Sequence, residues 1–363
     1  MTTTLALELG HFENGGLDYS EESSGEGSCI RRTDLGIVVG RALHQLKALV
    51  HEANLAARGN GDLVADDVAR SVLNGFLQLY AALECTIGDT SRADEKTKEQ
   101  IGRWVQQELL PYILLTETGE RFVSKPRGFA GDYWTIELIY RNQPTGWGRV
   151  GGLLDRCFLE CPPGDAVRNR RLLISEQICI TVGAHPDRRV RVTSLACGPA
   201  EEVFDAIHVL GGSALPQLTL VDFDYQALAF VATKRDALRL GRVIALVHAN
   251  LVDVAIGRAP MPGSDQDLVY TIGLIDYFND ELVVKLLNVI HGMLRPGGRV
   301  IVGNFHPRNP IKAFMDRVLE WRLRHRTEQD LDRLFSRSRF ARPSTTTFYE
   351  PQQINLFAEC VKA

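Results

Sequence analysis

From Leu35 onward, apolar residues recur at three- and four-residue steps: Leu35, Val38, Val39, Ala42, Leu43, Leu46 and Leu49. That spacing predicts an amphipathic helix, with Asp34 placed to cap it. Val64 to Cys85 repeats the pattern, with Val72, Leu73, Phe76, Leu77 and Tyr80 on one face. A third helix is expected to start at Ser91 or Asp94 and to run through Ile101, Trp104, Val105 and Leu109 toward Pro111. The period then breaks. Gly119 to Gly152 holds Lys125-Pro126-Arg127-Gly128-Phe129-Ala130-Gly131-Asp132-Tyr133-Trp134, followed by Glu137-Leu138-Ile139-Tyr140. A glycine-rich turn carrying these side chains is costly to hold unless it is packed or used. Asp165 to Val182 reads as a further helix.

From Val190 the pattern becomes an alternation. Strands are expected at Val190–Leu195, Gln217–Asp222, Val243–His248, Asp267–Thr271 and Arg299–Asn304. Helices fit at Ala200–Leu210, Tyr225–Leu240, Asp280–Met293 and Pro310–Ser336. This order argues for an α/β fold, with a mostly parallel sheet covered on both faces. Thr345–Tyr349 and Ile354–Val361, joined by Glu350-Pro351-Gln352-Gln353, read as an antiparallel C-terminal hairpin. The expected organisation is a disordered Gly-, Ser- and Glu-rich tail over residues 1–30 and a helical subdomain over 31–120. A glycine-rich lid or linker over 121–164 and a cofactor domain over 165–363 follow.

Composition narrows this little. Apolar content of 45% and charged content of 24% are those of a globular protein. A net charge of -4 gives no general pull toward nucleic acid, so none is expected as a partner. No apolar stretch is long enough for a membrane span, and no basic-then-apolar leader opens the chain, so a cytoplasmic location is expected. The seven cysteines are odd in number and scattered, which fits reduced thiols. Cys157 and Cys161 have no second Cys or His pair to complete a metal site, so no metal is expected.

Three separated segments read as one nucleotide-type cofactor site. They are Arg191-Val192-Thr193-Ser194-Leu195-Ala196-Cys197-Gly198-Pro199-Ala200-Glu201-Glu202, Leu218-Thr219-Leu220-Val221-Asp222-Phe223-Asp224, and Leu294-Arg295-Pro296-Gly297-Gly298-Arg299-Val300-Ile301-Val302. In an open parallel sheet the ligand sits beyond the carboxyl ends of the strands. Gly198 lets the backbone approach a ligand, and Pro199 suits a first helical turn. Asp222 is placed to accept from both ribose hydroxyls, Phe223 to lie against an adenine, and Asn250 to read its edge, with Leu251 beside it. A tight turn with a surface acid is the plainer alternative. A dinucleotide enzyme normally wants three glycines where this chain has Ala196, Gly198 and Ala200.

In this order and with these gaps, the segments resemble the S-adenosylmethionine-binding half of the class I methyltransferases. The resemblance covers residues 165–363 and departs from the family pattern at Ser194, where an acid is usual, and at Ala196 and Ala200. It implies a Rossmann-like sheet, S-adenosylmethionine as cofactor, and cofactor contacts from Ala196, Cys197, Gly198, Ala200, Asp222, Phe223, Asn250, Leu251 and Gly273. Arg168 or Arg170 can reach the cofactor carboxylate, surface charge being the alternative.

Four further runs carry a narrower resemblance. They are Lys125 to Tyr133, Gly273-Leu274-Ile275-Asp276-Tyr277-Phe278, Gly303-Asn304-Phe305-His306-Pro307, and Glu320-Trp321 with Leu323 and Arg326. Together they are similar to bacterial methyltransferases for the biosynthesis of 3-hydroxypalmitic acid methyl ester. That implies methyl transfer to a small acid or related metabolite, O-methylation of a carboxylate or hydroxyl first, N-methylation second.

A carboxylate, with a reference pKa of about 4, needs no base; an alcohol or amine needs one such as His306 or Asp276. Asp276 and Tyr277 follow a strand and are the first substrate-facing candidates, capping and core packing being their alternatives. His306, Asn304, Tyr133, Asp132 and Arg326 complete the acceptor-side set, and Trp321 is expected in the core. An NAD-dependent oxidoreductase stays open here. So does a nucleotide-binding module that associates through residues 34–118, and a homodimer through the helical region.

Overall fold

The computed structural model of the chain describes residues 34–58, 63–211 and 215–363; the tail expected over residues 1–30 lies outside them. The chain divides into two contact units. One comprises Ala166–Arg308 and Leu323–Ala363; the other runs from residue 34 to Asp165 and takes in Asn309–Arg322.

The helical unit holds α1 (Asp34–Arg58), α2 (Asp66–Ile87), α3 (Glu95–Ile113), α4 (Glu117–Ser124), α5 (Tyr133–Arg141), α6 (Gly151–Leu159) and the start of α7 (Pro162–Gly183). The buried positions of α1 are Gly36, Val39, Leu43, Leu46, Val50, Ala53 and Ala57, a strict three-four stripe. Gly75 brings α2 against it, since a Cβ there would stand 3.0 Å from a Leu49 methyl. Asp94, not Ser91, starts the third helix by accepting from Thr97 N–H at 2.8 Å, and Pro111 lies inside its last turn. Residues 121–164 are not an open loop, because α5 and α6 form there. Phe76, Tyr80, Phe122, Phe158, Phe314 and Trp321 contact in a chain of rings, with neighbouring centroids 4.7 to 6.2 Å apart. Such pairs add about 1 kcal/mol each beyond the area they bury.

The other unit alternates strands and helices. After α7 come β1 (Arg191–Leu195), α8 (Glu201–Leu210), β2 (Gln217–Asp222), α9 (Tyr225–Ala237), β3 (Ile244–His248), α10 (Leu251–Ala255) and β4 (Gln266–Ile272). A single 3₁₀ turn (Ile275–Tyr277) precedes α11 (Asp280–Met293) and β5 (Leu294–Phe305). In the strand order β3-β2-β1-β4-β5-β7-β6, β1 to β5 run parallel. β6 (Thr346–Tyr349) and β7 (Asn355–Val361) form the expected antiparallel hairpin, with β7 on β5. The two-residue period of the strands sends Val269, Val300, Val302 and Leu356 into one core with α11. Leu268, Tyr270, Ile301 and Phe357 go into the other, with α7 and α8.

One expected element is different. The helix read over Pro310–Ser336 is two short helices, α12 (Lys312–Arg317) and α13 (Glu328–Arg337). Glu320 adopts a left-handed backbone, φ 51°, which ends helical geometry. Further on, Arg324 N–H donates to Asp276 O and Arg326 N–H to Phe305 O, so this stretch bonds outward rather than to itself. Thr327 and Asp330 then form a capping box that restarts the helix.

Candidate active site

The sheet order reverses between β1 and β4, so the crevice at their carboxyl ends is where a ligand is expected. Beyond β1 the chain turns through three left-handed residues, Ala196 (φ 57°), Gly198 (φ 52°) and Ala200 (φ 54°). Alanine holds the glycine-type backbone at both flanking positions, at about 1–2 kcal/mol each. The departure from the family's glycines therefore leaves the turn intact. Cys197, buried, donates its N–H to Val221 O at 3.0 Å and ties the turn to β2. A Cβ on Gly198 would meet no heavy atom within 4 Å, so the turn faces open space.

Asp222 closes β2 directly beside that turn. Its Oδ2 accepts from Gly198 N–H and its Oδ1 from Asp224 N–H, both at 2.9 Å. Burial pushes this carboxyl above its usual range, against the pull of those two donors. A carboxylate has about four acceptor positions, so two remain. Phe223 is 40% exposed, and its carbonyl lies 2.9 Å from His248 Nε2. The His248 ring stacks on exposed Tyr225 at 3.6 Å and 7°. The Asn250 side-chain oxygen caps α10 through Val252 N–H at 2.9 Å, which leaves reading of a ligand to its nitrogen. Leu251 is buried.

A second group of polar side chains lies at the ends of β1 and β4. Arg170, only 5% exposed, projects from α7 onto Gly273, where a Cβ would stand 3.1 Å from a guanidinium nitrogen. Gly273 (φ 78°) is the glycine this approach requires. Glu202, in the first turn of α8, is buried and accepts from Tyr270 Oη at 2.8 Å. Desolvation pushes it up to about 7, with Arg170 among the groups that oppose this. Asp276 is also buried; its Oδ1 accepts from Phe305 N–H at 2.6 Å, and burial pushes it up to about 6 against Arg170 and Arg326. Arg170 Nε, Thr271 Oγ1 and Asp276 Oδ2 have no hydrogen-bond partner among the described residues. Glu202, Tyr270, Thr271, Tyr225 and His248 were not singled out from the sequence. The only signal for Glu202 was an acid in the helix turn after the glycine, which reads equally as an ordinary first-turn charge.

Several acceptor-side expectations are corrected by their partners. Arg326 has five donors, and all five are spent. Nε and one terminal nitrogen reach Asp280, at 3.1 and 2.9 Å. The rest go to Ile275 O at 2.7 Å, Phe278 O at 2.6 Å and Asn304 Oδ1 at 2.9 Å. Arg326 therefore pins the loop after β4 and is not left to hold an acidic substrate. Asn304 is equally occupied, its nitrogen donating to Phe305 O and Arg324 O.

His306 accepts Arg308 N–H on Nδ1 at 3.1 Å, and its Nε2 faces Glu328 at 3.5 Å. With both nitrogens committed inside the chain, it is poorly placed as a base. Tyr277 is half-buried against the core formed by α11 and β4. In the helical unit, Asp132 is fully buried. It accepts from Trp134 and Thr135 N–H as the cap of α5 and from Arg121 at 2.7 Å, which leaves no role on a lid. Tyr133 lies under the Arg127 guanidinium, 4.6 Å from its ring centroid.

A family model described as "Putative methyltransferase" matches residues 116–346, more than half of the chain. The chain belongs to this methyltransferase family. Its sheet is the Rossmann-like sheet of the class I methyltransferases, and the oxidoreductase and non-enzymatic alternatives fall away. No curated protein matches the sequence.

Among solved structures, a Bordetella parapertussis protein described as a possible exported protein is similar at 20% identity and a TM-score of 0.56. The match covers 81% of this methyltransferase and 96% of that chain. A magnesium protoporphyrin IX methyltransferase from Synechocystis PCC 6803, with bound SAH, covers 67% of this chain and 97% of its own, at 14% identity and a TM-score of 0.43. A 1,6-didemethyltoxoflavin-N1-methyltransferase from Burkholderia thailandensis covers 52% and 78%, at 19% identity and a TM-score of 0.38. At such identities a structural likeness speaks for fold alone. No helix among the described residues is long and apolar enough to cross a membrane.

Proposed function

We propose that this methyltransferase moves a methyl group from S-adenosylmethionine to an oxygen of a small-molecule acceptor, a carboxylate first. The observation that carries the reading is the 2.9 Å bond between Gly198 N–H and Asp222, which joins an open glycine turn to a ribose-type acid. The residues fit the cofactor. Gly198 faces open space, Asp222 keeps two acceptor positions, and buried Arg170 offers an unpaired Nε.

In this reading Asp222 takes the ribose hydroxyls, while Ala196, Cys197, Gly198 and Ala200 shape the turn against them. Phe223 and the Asn250 nitrogen attend the adenine beside Leu251, and Arg170 over Gly273 takes the methionine carboxylate. S-adenosylmethionine supplies a methyl group activated by a positive sulfur. The protein then has to align acceptor, methyl and sulfur and exclude water. The commitments of His306 favour an acceptor that needs no base, and a carboxylate is ionised at neutral pH. Methyl esters of hydroxy fatty acids, as in the narrower resemblance, fit that chemistry.

A second reading rests on Asp276. Its free Oδ2 and its pKa, pushed up by burial to about 6, would suit a base for a hydroxyl acceptor. Incubation with methyl-labelled S-adenosylmethionine and a panel of fatty, hydroxy-fatty and aromatic acids, with matching alcohols and amines, tests the proposal. Ester product is expected. Product formed only from amines would sink the oxygen assignment, and product from alcohols alone that vanishes in Asp276→Asn would favour the second reading. The cytoplasm is the proposed site of action, because the six described cysteines are all free thiols.

A further inference from the structure

Glu202 has no part in the reading above, yet it is buried in the same crevice. It lies two residues beyond Ala200, in the first turn of α8, 2% exposed, and it holds the hydroxyl of Tyr270 at 2.8 Å. Tyr270 pairs in register with Ser194, the position where the family's usual acid is missing. The charges that act on Glu202 are Glu201 on its own helix and Arg170 on α7, and the same Arg170 acts on Asp276, on the loop after β4. The three orphaned polar atoms of Arg170, Thr271 and Asp276 lie in residues 5%, 0% and 1% exposed. Unpaired atoms at such depth point to a ligand that completes them.

We infer that Glu202, acting with Arg170 and Asp276, is the residue by which this enzyme distinguishes its positively charged methyl donor from the product that has lost the methyl. The inference rests on the donor proposed above. S-adenosylmethionine carries one positive charge more than S-adenosylhomocysteine, because the sulfur is cationic only while it bears the methyl. With Arg326 paired to Asp280 and Glu201 paired to Lys234, the charges left in the cluster are one guanidinium and two carboxylates. It has one negative charge in excess when both acids are ionised, and none when one of them is protonated. The ionised cluster therefore matches the donor, and the half-protonated cluster matches the product.

Glu202 faces Tyr270 from β4, Arg170 from α7, Glu201 from its own helix and the Cys197 thiol from the turn after β1. Asp276 faces Arg170, Arg326 and the Phe305 N–H. Burial holds the two acids near 7 and 6, so their ionisation is completed across the neutral range. An added cation favours the ionised forms, so donor binding near neutrality should expel a proton that product binding leaves in place.

Titration calorimetry of S-adenosylmethionine and S-adenosylhomocysteine, at about pH 6 and about pH 8 and in two buffers of different ionisation heat, tests this. In the wild type, preference for donor over product should grow roughly tenfold over that interval, with more proton release for the donor. Glu202→Gln should flatten the growth and leave product affinity nearly unchanged. Tyr270→Phe removes a hydrogen bond to the carboxylate, so it should keep the growth but move its midpoint to higher pH. An unchanged ratio and pH response in Glu202→Gln would overturn the inference, as would equal losses for donor and product. If Glu202→Gln does not fold, an unmoved midpoint in Tyr270→Phe overturns it instead. A wild type that binds neither compound overturns the donor assignment itself.

Discussion

Replacing Arg326 by Met tests whether this buried guanidinium holds the active-site loop or meets the acceptor. Arg326 is 4% exposed and donates to two backbone carbonyls of the loop after β4, to Asn304 at the end of β5 and to Asp280 at the start of α11. The substitution leaves Ile275 O, Phe278 O and Asn304 Oδ1 without their donor. Each orphaned buried acceptor costs about 1–3 kcal/mol, offset in part by the desolvation that the guanidinium no longer suffers. A net loss of about 3–5 kcal/mol follows, a large fraction of an ordinary domain's stability. Urea unfolding followed by fluorescence measures it, with the midpoint expected to fall at nearly constant slope. Below the transition, cofactor affinity should also weaken, because the loop carrying Gly273 and Asp276 has lost its pin. An unfolding free energy within about 0.5 kcal/mol of wild type, with only the acceptor KM raised, would refute the reasoning and restore Arg326 as a substrate residue.

Ala196→Gly relieves a left-handed alanine (φ 57°) and should be neutral to about 1 kcal/mol stabilising by thermal melting, with cofactor affinity kept; a clear loss would show that the methyl is needed. Asp132→Ala breaks a fully buried cap and ion pair, and should lower unfolding free energy by about 3 kcal/mol in urea; an effect confined to the acceptor KM would return it to the site. His306→Gln should leave kcat within a few-fold of wild type, and a loss of about a hundredfold or more would make it a base after all. Burial first, then Arg308, lowers the His306 pKa. The fold therefore favours the neutral ring, and its contribution is present above the ordinary value of 6.5 and lost as pH falls through the depressed one. Thermal melts of His306→Gln should accordingly be less acid-sensitive than those of wild type.

The strands β1 and β4 were legible to within a residue at each end because their apolar runs are buried on both faces. In contrast, β5 begins at Leu294, five residues before the expected Arg299, through the Pro296-Gly297-Gly298 stretch that reads as a turn. Asp280–Met293 was found whole because Asn279 caps it locally. The helix over Pro310–Ser336 was misread because its interruption is imposed by Asp276 O and Phe305 O, partners that no local pattern announces. The tight turn after β1 was visible through Gly198, but that Ala196 and Ala200 share its left-handed backbone was not, since alanine ordinarily signals helix. On the acceptor side the difficulty was systematic. A polar residue after a strand looks the same whether it faces a ligand or pins a loop. Arg326, Asn304 and Asp132 prove to be pins only once their distant partners are counted. Glu202 escaped notice for the converse reason: in sequence it is one more acid at a helix start, and only burial beside Tyr270 sets it apart.

The account stands on one pairing, and calorimetric titration of S-adenosylmethionine into wild type and Asp222→Ala tests it directly. Two hydrogen bonds to an ionised acceptor, at about 1.5–3 kcal/mol each, predict an affinity loss of roughly a hundredfold or more while the variant remains folded. Equal affinity in the two proteins would contradict the assignment of Asp222 to the ribose and, with it, the adenosyl site at Gly198.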